Sequence, residues 1–122
     1  MTTNYKSSDE LAAAAIKGLQ EKKGAEIILI DLKKTPNSVT DCFVICSGSS
    51  DTHLDALAQS VDKVVEKECL EIPLSTEGRT NKEWILLDYG NVIVHIFKDS
   101  TRAFYALEQL WGDAEIIKIK EK

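Results

Sequence analysis

The sequence predicts an α/β fold, with a single domain in which helices flank one mixed β-sheet. Three observations support this class. A length of 122 residues suits one domain, segments with helical and with strand-like hydrophobic periodicity alternate along the chain, and two of the strand-like segments are joined by a two-residue turn signal. The predicted order is helix, strand, strand, helix, hairpin, helix, which is typical of helices packed on one sheet.

The first helix and the first strand have clear sequence signals. Ser7 and Glu10 have the spacing of a capping box, and apolar residues then recur at the helical period until Gly24. Residues 25–32, AEIILIDL, are too short and too β-branched for a second helix. Their nearly continuous apolar character predicts a strand that is covered on both faces. A turn-rich loop follows around Pro36 and Asn37.

The second strand and the second helix are separated by a short polar break. Residues 42–46, CFVIC, predict a buried strand, and the Ser-Gly-Ser-Ser sequence at 47–50 ends it. The same serines can cap a long helix over about residues 51–68. The apolar stripe of that helix consists of Leu54, Leu57, Ala58, Val61, Val64 and Val65.

The C-terminal third predicts a hairpin, a helix and an edge strand. Residues 84–89 and 92–97 are strand-like, and Gly90-Asn91 between them is a two-residue turn signal for an antiparallel hairpin. A last helix, capped by Asp99 or Ser100, is predicted over 102–111. The alternating residues at 117–120 predict an edge strand.

The charge balance limits the choice of partner. Fifteen basic and twenty acidic residues give a formal net charge of -5 and a pI near 5.0. This is the wrong sign for a protein that neutralises phosphates, so we expect no direct binding to DNA. A basic protein is the better electrostatic match.

The cysteines and the hydropathy indicate a protein of the reducing cytoplasm. Cys42, Cys46 and Cys69 are an odd number without the paired spacing of a zinc site, so we expect buried free thiols. No apolar run is long enough to span a membrane, and the acidic residues near the N-terminus are unlike a transit peptide.

The register of the predicted hairpin sorts its side chains into two faces. One face is apolar; the other, the hairpin face, consists of Trp84, Leu86, Asp88, Ile93, His95 and Phe97. Asp88 lies diagonal to His95, within reach of a side-chain contact. The two residues could be an acid–base pair, a carboxylate that holds a partly buried histidine, or part of a binding surface. No nucleophile accompanies them.

The serine-rich break at 47–50 lies where a helix N-terminus could hold an anion. It lacks the glycine pattern and the lysine of phosphate-binding loops, and Asp51 and Asp55 would repel a phosphate. We interpret both acids as helix-capping residues, and we expect His53 to be exposed. The two histidines come from separate segments without further ligands at metal-site spacing, so neither a metal nor a cofactor is expected.

The last helix offers a second candidate surface. Its core stripe leaves Arg102, Tyr105 and Gln109 in a row on another face. An exposed tyrosine beside an arginine is the composition of an interface anchor.

Three segments of the chain resemble the ribosomal silencing factor family, also called the Iojap family. They are DCFVICSGSS at 41–50 with His53 just after it, EWILLDYGNVIVH at 83–95, and RAFYALEQLW at 102–111. Together with the first helix, the resemblance covers a core of about residues 8–113 and leaves a short tail at 114–122. We expect one domain over 1–122.

The resemblance implies a fold like that of nucleotidyltransferases and a steric function. Members bind the large ribosomal subunit through its basic protein fourteen, block joining of the small subunit when nutrients are scarce, and tend to form homodimers. The family's partner-binding residues carry over to Trp84, Asp88, His95, Arg102, Tyr105 and Glu108.

Two enzymatic alternatives remain open. A metal-dependent nucleotidyltransferase would need two acidic residues one apart on a strand after the Gly-Ser turn, and the sequence has no such pair. A hydrolase built on Asp88 and His95 would need a nucleophile from another segment.

Overall fold

The described part of the chain forms one sheet with helices packed on it, which confirms the α/β class. This computed structural model describes residues 7–35, 38–105 and 114–120, and of residues 103–105 it describes the backbone alone. The helices are α1 (Ser8–Glu21), α2 (Asp51–Cys69) and α3 (Asp99–Tyr105), and the strands are β1 (Ala25–Asp31), β2 (Cys42–Gly48), β3 (Ser75–Glu77), β4 (Trp84–Asp88), β5 (Val92–Lys98) and β6 (Glu115–Lys118). The strand order is β3-β4-β5-β2-β1-β6.

The sheet is mixed, as predicted. β2 and β5 are parallel, and the other neighbouring pairs are antiparallel. The hairpin has the predicted register, with Ile85 opposite Ile96 and Leu87 opposite Val94. The register is fixed at the turn, where the backbone N–H of Tyr89 donates to the carbonyl of Val92 at 2.9 Å.

α1 and α2 cover one face of the sheet. The capping box of α1 is confirmed, since the backbone N–H of Glu10 donates to Ser7 Oγ at 3.1 Å. The helices approach closely at Gly18, where a Cβ atom would lie 2.9 Å from the carbonyl oxygen of Ser60. Ser60 Oγ donates to the Gly18 carbonyl at 2.7 Å, which satisfies a polar group that the close packing buries.

Buried side chains form a layer on each side of the sheet. The larger layer joins the inner faces of α1 and α2 to the apolar face of the hairpin. The smaller layer, on the opposite side, contains Ile28, Ile30, Leu32, Phe43, Ile45 and Phe97, with Trp84 and Ile93 packed against it. Burial on both sides explains why β1 and β2 read as continuous apolar runs.

Several details of the fold differ from the sequence-based expectation. β3 was not predicted, because all three of its residues are polar and exposed. β2 continues to Gly48 through the expected break, and α3 begins at Asp99 with no intervening loop after β5. The remainder of the predicted last helix, 106–111, lies outside the described residues.

The C-terminal edge strand is present and begins earlier than predicted, at Glu115. It pairs antiparallel with β1, with Leu29 opposite Ile117. β6 therefore forms one edge of the sheet and β3 forms the other.

The three cysteines are buried free thiols, as predicted. Burial raises the pKa of Cys42 to about 11 and that of Cys46 to about 12. No helix within the described ranges is long and apolar enough to cross a membrane.

Candidate functional site

The hairpin face is organised around a contact between Trp84 and His95. Trp84 lies at the start of β4, opposite Phe97 on β5, and its ring stacks on the Phe97 ring with centroids 4.9 Å apart. The indole Nε1–H donates to His95 Nδ1 at 3.0 Å. Because Nδ1 accepts this hydrogen bond, neutral His95 carries its proton on Nε2.

His95 lies inside the hairpin face and not on its surface. Its side chain is 4% exposed, and Phe43 meets it edge to face with ring centroids 4.8 Å apart. Burial lowers the pKa of His95 to about 4, so the imidazole is neutral at physiological pH. Its Nε2 atom is buried without a hydrogen-bond partner among the described residues.

Asp88 and His95 do not form the expected pair. Asp88 lies opposite Ile93, diagonal to His95 as predicted, but its Oδ1 atom accepts from the backbone N–H of Gly90 at 2.8 Å. This bond closes the hairpin turn in the manner of an Asx turn. Both the acid–base interpretation and the interpretation of a carboxylate holding the histidine are therefore wrong, because Trp84 supplies the bond to the imidazole.

The remaining interpretation of this face, as a binding surface, agrees with its exposure. Trp84, Leu86, Asp88 and Ile93 are half-buried, over the buried rings of Phe43 and Phe97. An amphipathic indole and a carboxylate on a rigid sheet are suited to contact a protein partner.

Arg102 does not have the exposure that the sequence predicted. Its side chain is buried, 8% exposed, and its Nη1 atom donates to the carbonyl of Glu26 at 2.6 Å and to Ser47 Oγ at 2.9 Å. The helical spacing placed Arg102 off the apolar stripe of its own helix. The helical spacing alone could not show that Glu26 in β1 and Ser47 in β2 place hydrogen-bond acceptors next to the Arg102 guanidinium.

The other two candidates on the last helix have no described side-chain environment. Tyr105 is the last residue of α3, and only its backbone is described. Glu108 lies outside the described residues, as does Gln109.

The serine-rich break between β2 and α2 is occupied by contacts within the chain. The backbone N–H of Ser49 donates to His53 Nδ1 at 2.9 Å, and the N–H of His53 donates to Ser50 Oγ at 3.1 Å. His53 Nε2 in turn donates to the carbonyl of Lys22 at 2.8 Å. The expectation of an exposed His53 is wrong, because its ring is half-buried between the two helices.

The two acids at the start of α2 form ion pairs. Asp51 Oδ1 lies 2.5 Å from Lys98 Nζ, and Asp55 Oδ2 lies 2.9 Å from Lys82 Nζ. The hydrogen bond from Lys98 lowers the pKa of the Asp51 carboxyl. Ser50 is the N-cap, and Asp51 favours the N-terminus of the helix through its charge. The interpretation of Asp55 as a capping residue is wrong, because it lies beyond the first turn and pairs with Lys82. Over the described residues, no cluster of three potential ligands is placed to hold a metal ion.

Gly78 is a supporting residue that the sequence did not single out. Its φ angle is +86°, and a Cβ atom there would lie 1.9 Å from the carbonyl oxygen of Trp84. Position 78 therefore requires glycine, because the backbone there has a positive φ and passes close to the carbonyl of Trp84 at the start of β4.

Comparison with known proteins places these residues in a family. The family model described as "Ribosomal silencing factor during starvation" matches residues 5–122. Ribosomal silencing factor RsfS of Halalkalibacterium halodurans is 34% identical over 114 residues, which are 93% of this chain and 96% of the relative. The mouse protein named mitochondrial assembly of ribosomal large subunit protein 1 is 36% identical over 74 residues, 59% of this chain and 32% of its own length.

A solved structure agrees with the fold. A crystal structure of a Chromobacterium violaceum protein superposes with a TM-score of 0.81 at 33% identity and covers 88% of each chain. Sequence and fold therefore lead to the same conclusion, and the chain belongs to the ribosomal silencing factor family.

Proposed function

We propose that this chain binds the large ribosomal subunit through its basic protein fourteen and sterically blocks association with the small subunit. It would thereby repress translation under nutrient limitation. Membership of the silencing family supports a role in translation, and the name of the mouse relative supports the large subunit as the partner. The net charge of -5 favours a basic protein as the contact.

The observation that carries the proposal is the hairpin face. Trp84 is half-exposed on a rigid strand, and its indole is fixed from below by the hydrogen bond to buried His95. A preoriented aromatic side chain loses little conformational freedom on binding. Asp88 adds a carboxylate at the other end of β4, on the same face of the hairpin. In this proposal Trp84 and Asp88 contact the partner and His95 orients Trp84. Arg102 supports the sheet from inside, and Tyr105 and Glu108 extend the contact from the last helix.

The direct test is sedimentation of the purified chain with separated large subunits, small subunits and intact ribosomes, followed by a subunit-joining assay. We expect the chain to sediment with large subunits and to inhibit joining. Failure to bind any particle at low salt would overturn the proposal. Binding to large subunits without inhibition of joining would overturn its steric part.

We also propose that the chain acts by binding and catalyses no reaction, and that it works in the cytoplasm as a homodimer. The enzymatic alternative is tested by incubating the pure protein with nucleoside triphosphates and divalent metal ions. Turnover that Asp88→Ala abolishes would support a nucleotidyltransferase. Sedimentation equilibrium of the free protein tests the dimer.

A further inference from the structure

The segment that joins α2 to β4 exposes an unusual amount of apolar surface. We call residues 70–77 the edge segment. Leu70, Ile72 and Leu74 are 64%, 67% and 77% exposed. Three large, exposed apolar side chains thus lie within five residues of sequence, and clustered apolar exposure marks interaction sites more often than scattered exposure does.

The edge segment is held in place against the hairpin. The backbone N–H of Leu74 donates to the carbonyl of Asp88 at 2.7 Å, and Ser75 lies opposite Asp88 in the sheet. The side chain of Leu74 lies over the turn, because a Cβ atom on Gly90 would be 3.2 Å from Leu74 Cδ1. Leu74 is therefore held by hydrogen-bonded backbone at the end of β4, beside the hairpin turn.

The outer side of this segment offers unpaired backbone groups. β3 is the edge strand of the sheet and pairs only with β4 among the described strands. Its residues Ser75, Thr76 and Glu77 are all exposed. An exposed edge of this kind can accept an added strand from another polypeptide.

The negative charge of the edge segment indicates that the added strand is basic. The edge segment, LEIPLSTE, contains two glutamates, Glu71 and Glu77, and no basic residue. Glu71 and Glu77 form no ion pair with a described residue. A second copy of this chain would bring the same carboxylates against them, whereas lysine or arginine side chains would be attracted.

We propose that the edge segment docks an extended, basic and apolar segment of a protein partner, which adds to β3 and covers Leu70, Ile72 and Leu74. Lysine or arginine side chains of the added strand pair with Glu71 and Glu77. The inference deepens the proposed function, on which it rests for the identity of the partner, because it extends the hairpin face to the edge of the sheet.

The test uses the full chain with two double variants. Ile72→Ser/Leu74→Ser removes apolar surface, and Glu71→Lys/Glu77→Lys reverses the charge. Val39→Ser and Glu115→Lys are matched controls, since Val39 is 79% exposed and Glu115 is an exposed residue of the opposite edge strand. We expect each double variant to weaken binding to large subunits at least tenfold, with unchanged circular dichroism, and the controls to leave it within twofold.

A second measurement does not depend on the ribosome. The wild-type chain is titrated with a synthetic peptide of alternating lysine and valine, and amide hydrogen exchange is followed. We expect slower exchange at residues 74–77 and no slowing in Glu71→Lys/Glu77→Lys.

The outcomes separate this inference from the proposed function. If Trp84→Ala weakens subunit binding and both double variants do not, the docking role is overturned and the proposed function stands. If the wild type binds no ribosomal particle but the peptide slows exchange at 74–77, the proposed function fails and the docking chemistry stands. If Ile72→Ser/Leu74→Ser converts a dimer to a monomer without affecting subunit or peptide binding, the occupant is a second copy and the inference is wrong.

Discussion

Trp84 Nε1 donates a hydrogen bond to His95 Nδ1 across the β4–β5 hairpin, and this contact fixes both the tautomer of the histidine and the orientation of the indole. The pair is buried on the histidine side and half-exposed on the tryptophan side. An interior polar group therefore determines how a surface aromatic is presented.

The buried neutral histidine predicts a pH-dependent stability. The pKa of His95 is about 4 in the folded state, against an ordinary value near 6.5 in the unfolded chain. Between these values the unfolded state binds more protons, so stability is lost as the pH falls from about 6.5 toward 4. The loss amounts to roughly 3 kcal/mol when complete. Urea unfolding of the wild type and of His95→Phe, at about pH 7 and pH 5, measures the contribution as the difference between their pH slopes. Equal slopes would contradict it.

Trp84→Ala is expected to weaken binding to large ribosomal subunits by about 2 kcal/mol, or roughly 30-fold, because it removes an oriented aromatic anchor. Trp84→Phe keeps the stacking on Phe97 but not the hydrogen bond, so it should have an intermediate effect. Affinity is measured by sedimentation with circular dichroism as the control. A variant that unfolds would place Trp84 in the core and remove it from the binding surface.

Arg102→Met is expected to destabilise the protein by about 2–3 kcal/mol. The substitution leaves the Glu26 carbonyl and Ser47 Oγ without their charged donor in a buried place. Thermal unfolding measures the loss, and Lys98→Met, which removes an ion pair at the surface, is the comparison with a smaller expected effect. A binding defect in a fully stable Arg102→Met protein would contradict the structural role and restore Arg102 as a partner contact.

Gly78→Ala should destabilise the chain by about 3 kcal/mol or more, since it combines a positive φ with a clash against the carbonyl of Trp84. Gly90→Ala also has a positive φ, but its Cβ would meet only the end of the Leu74 side chain, so a smaller loss is expected. Denaturant unfolding compares the two variants. Equal stabilities would show that the backbone near Trp84 relaxes around the methyl group.

The three thiols should not react with a thiol reagent such as dithionitrobenzoate while the protein is folded. All three are buried, and burial raises the pKa of Cys46 to about 12, so little thiolate forms. All three thiols should react once denaturant unfolds the protein. Rapid labelling of a single cysteine in the native protein would identify a local opening.

Much of the fold could be predicted because local signals agreed with the tertiary structure. The capping box of α1, the continuous apolar runs of β1 and β2 and the Gly90-Asn91 turn each specify an element from neighbouring residues alone. β3 could not be predicted, since its polar residues form a strand only because β4 lies beside them.

The candidate site was predicted in position but not in its contacts. The hairpin register placed Trp84, Asp88 and His95 on one face, because side chains alternate strictly along a strand. It could not decide between the two partners within reach of His95, and the choice of Trp84 over Asp88 depends on burial and side-chain orientation. Arg102 was misjudged because its acceptors belong to distant strands.

The position of β6 has a consequence for synthesis of the chain. β1 is translated early, and on one side it pairs with β6, which lies more than eighty residues later in the sequence. While the nascent chain lacks residues 115–118, the apolar β1 strand presents an open backbone edge. We therefore expect an aggregation-prone edge until residues 115–118 have been synthesised, and a translational pause before these residues should favour aggregation or chaperone capture.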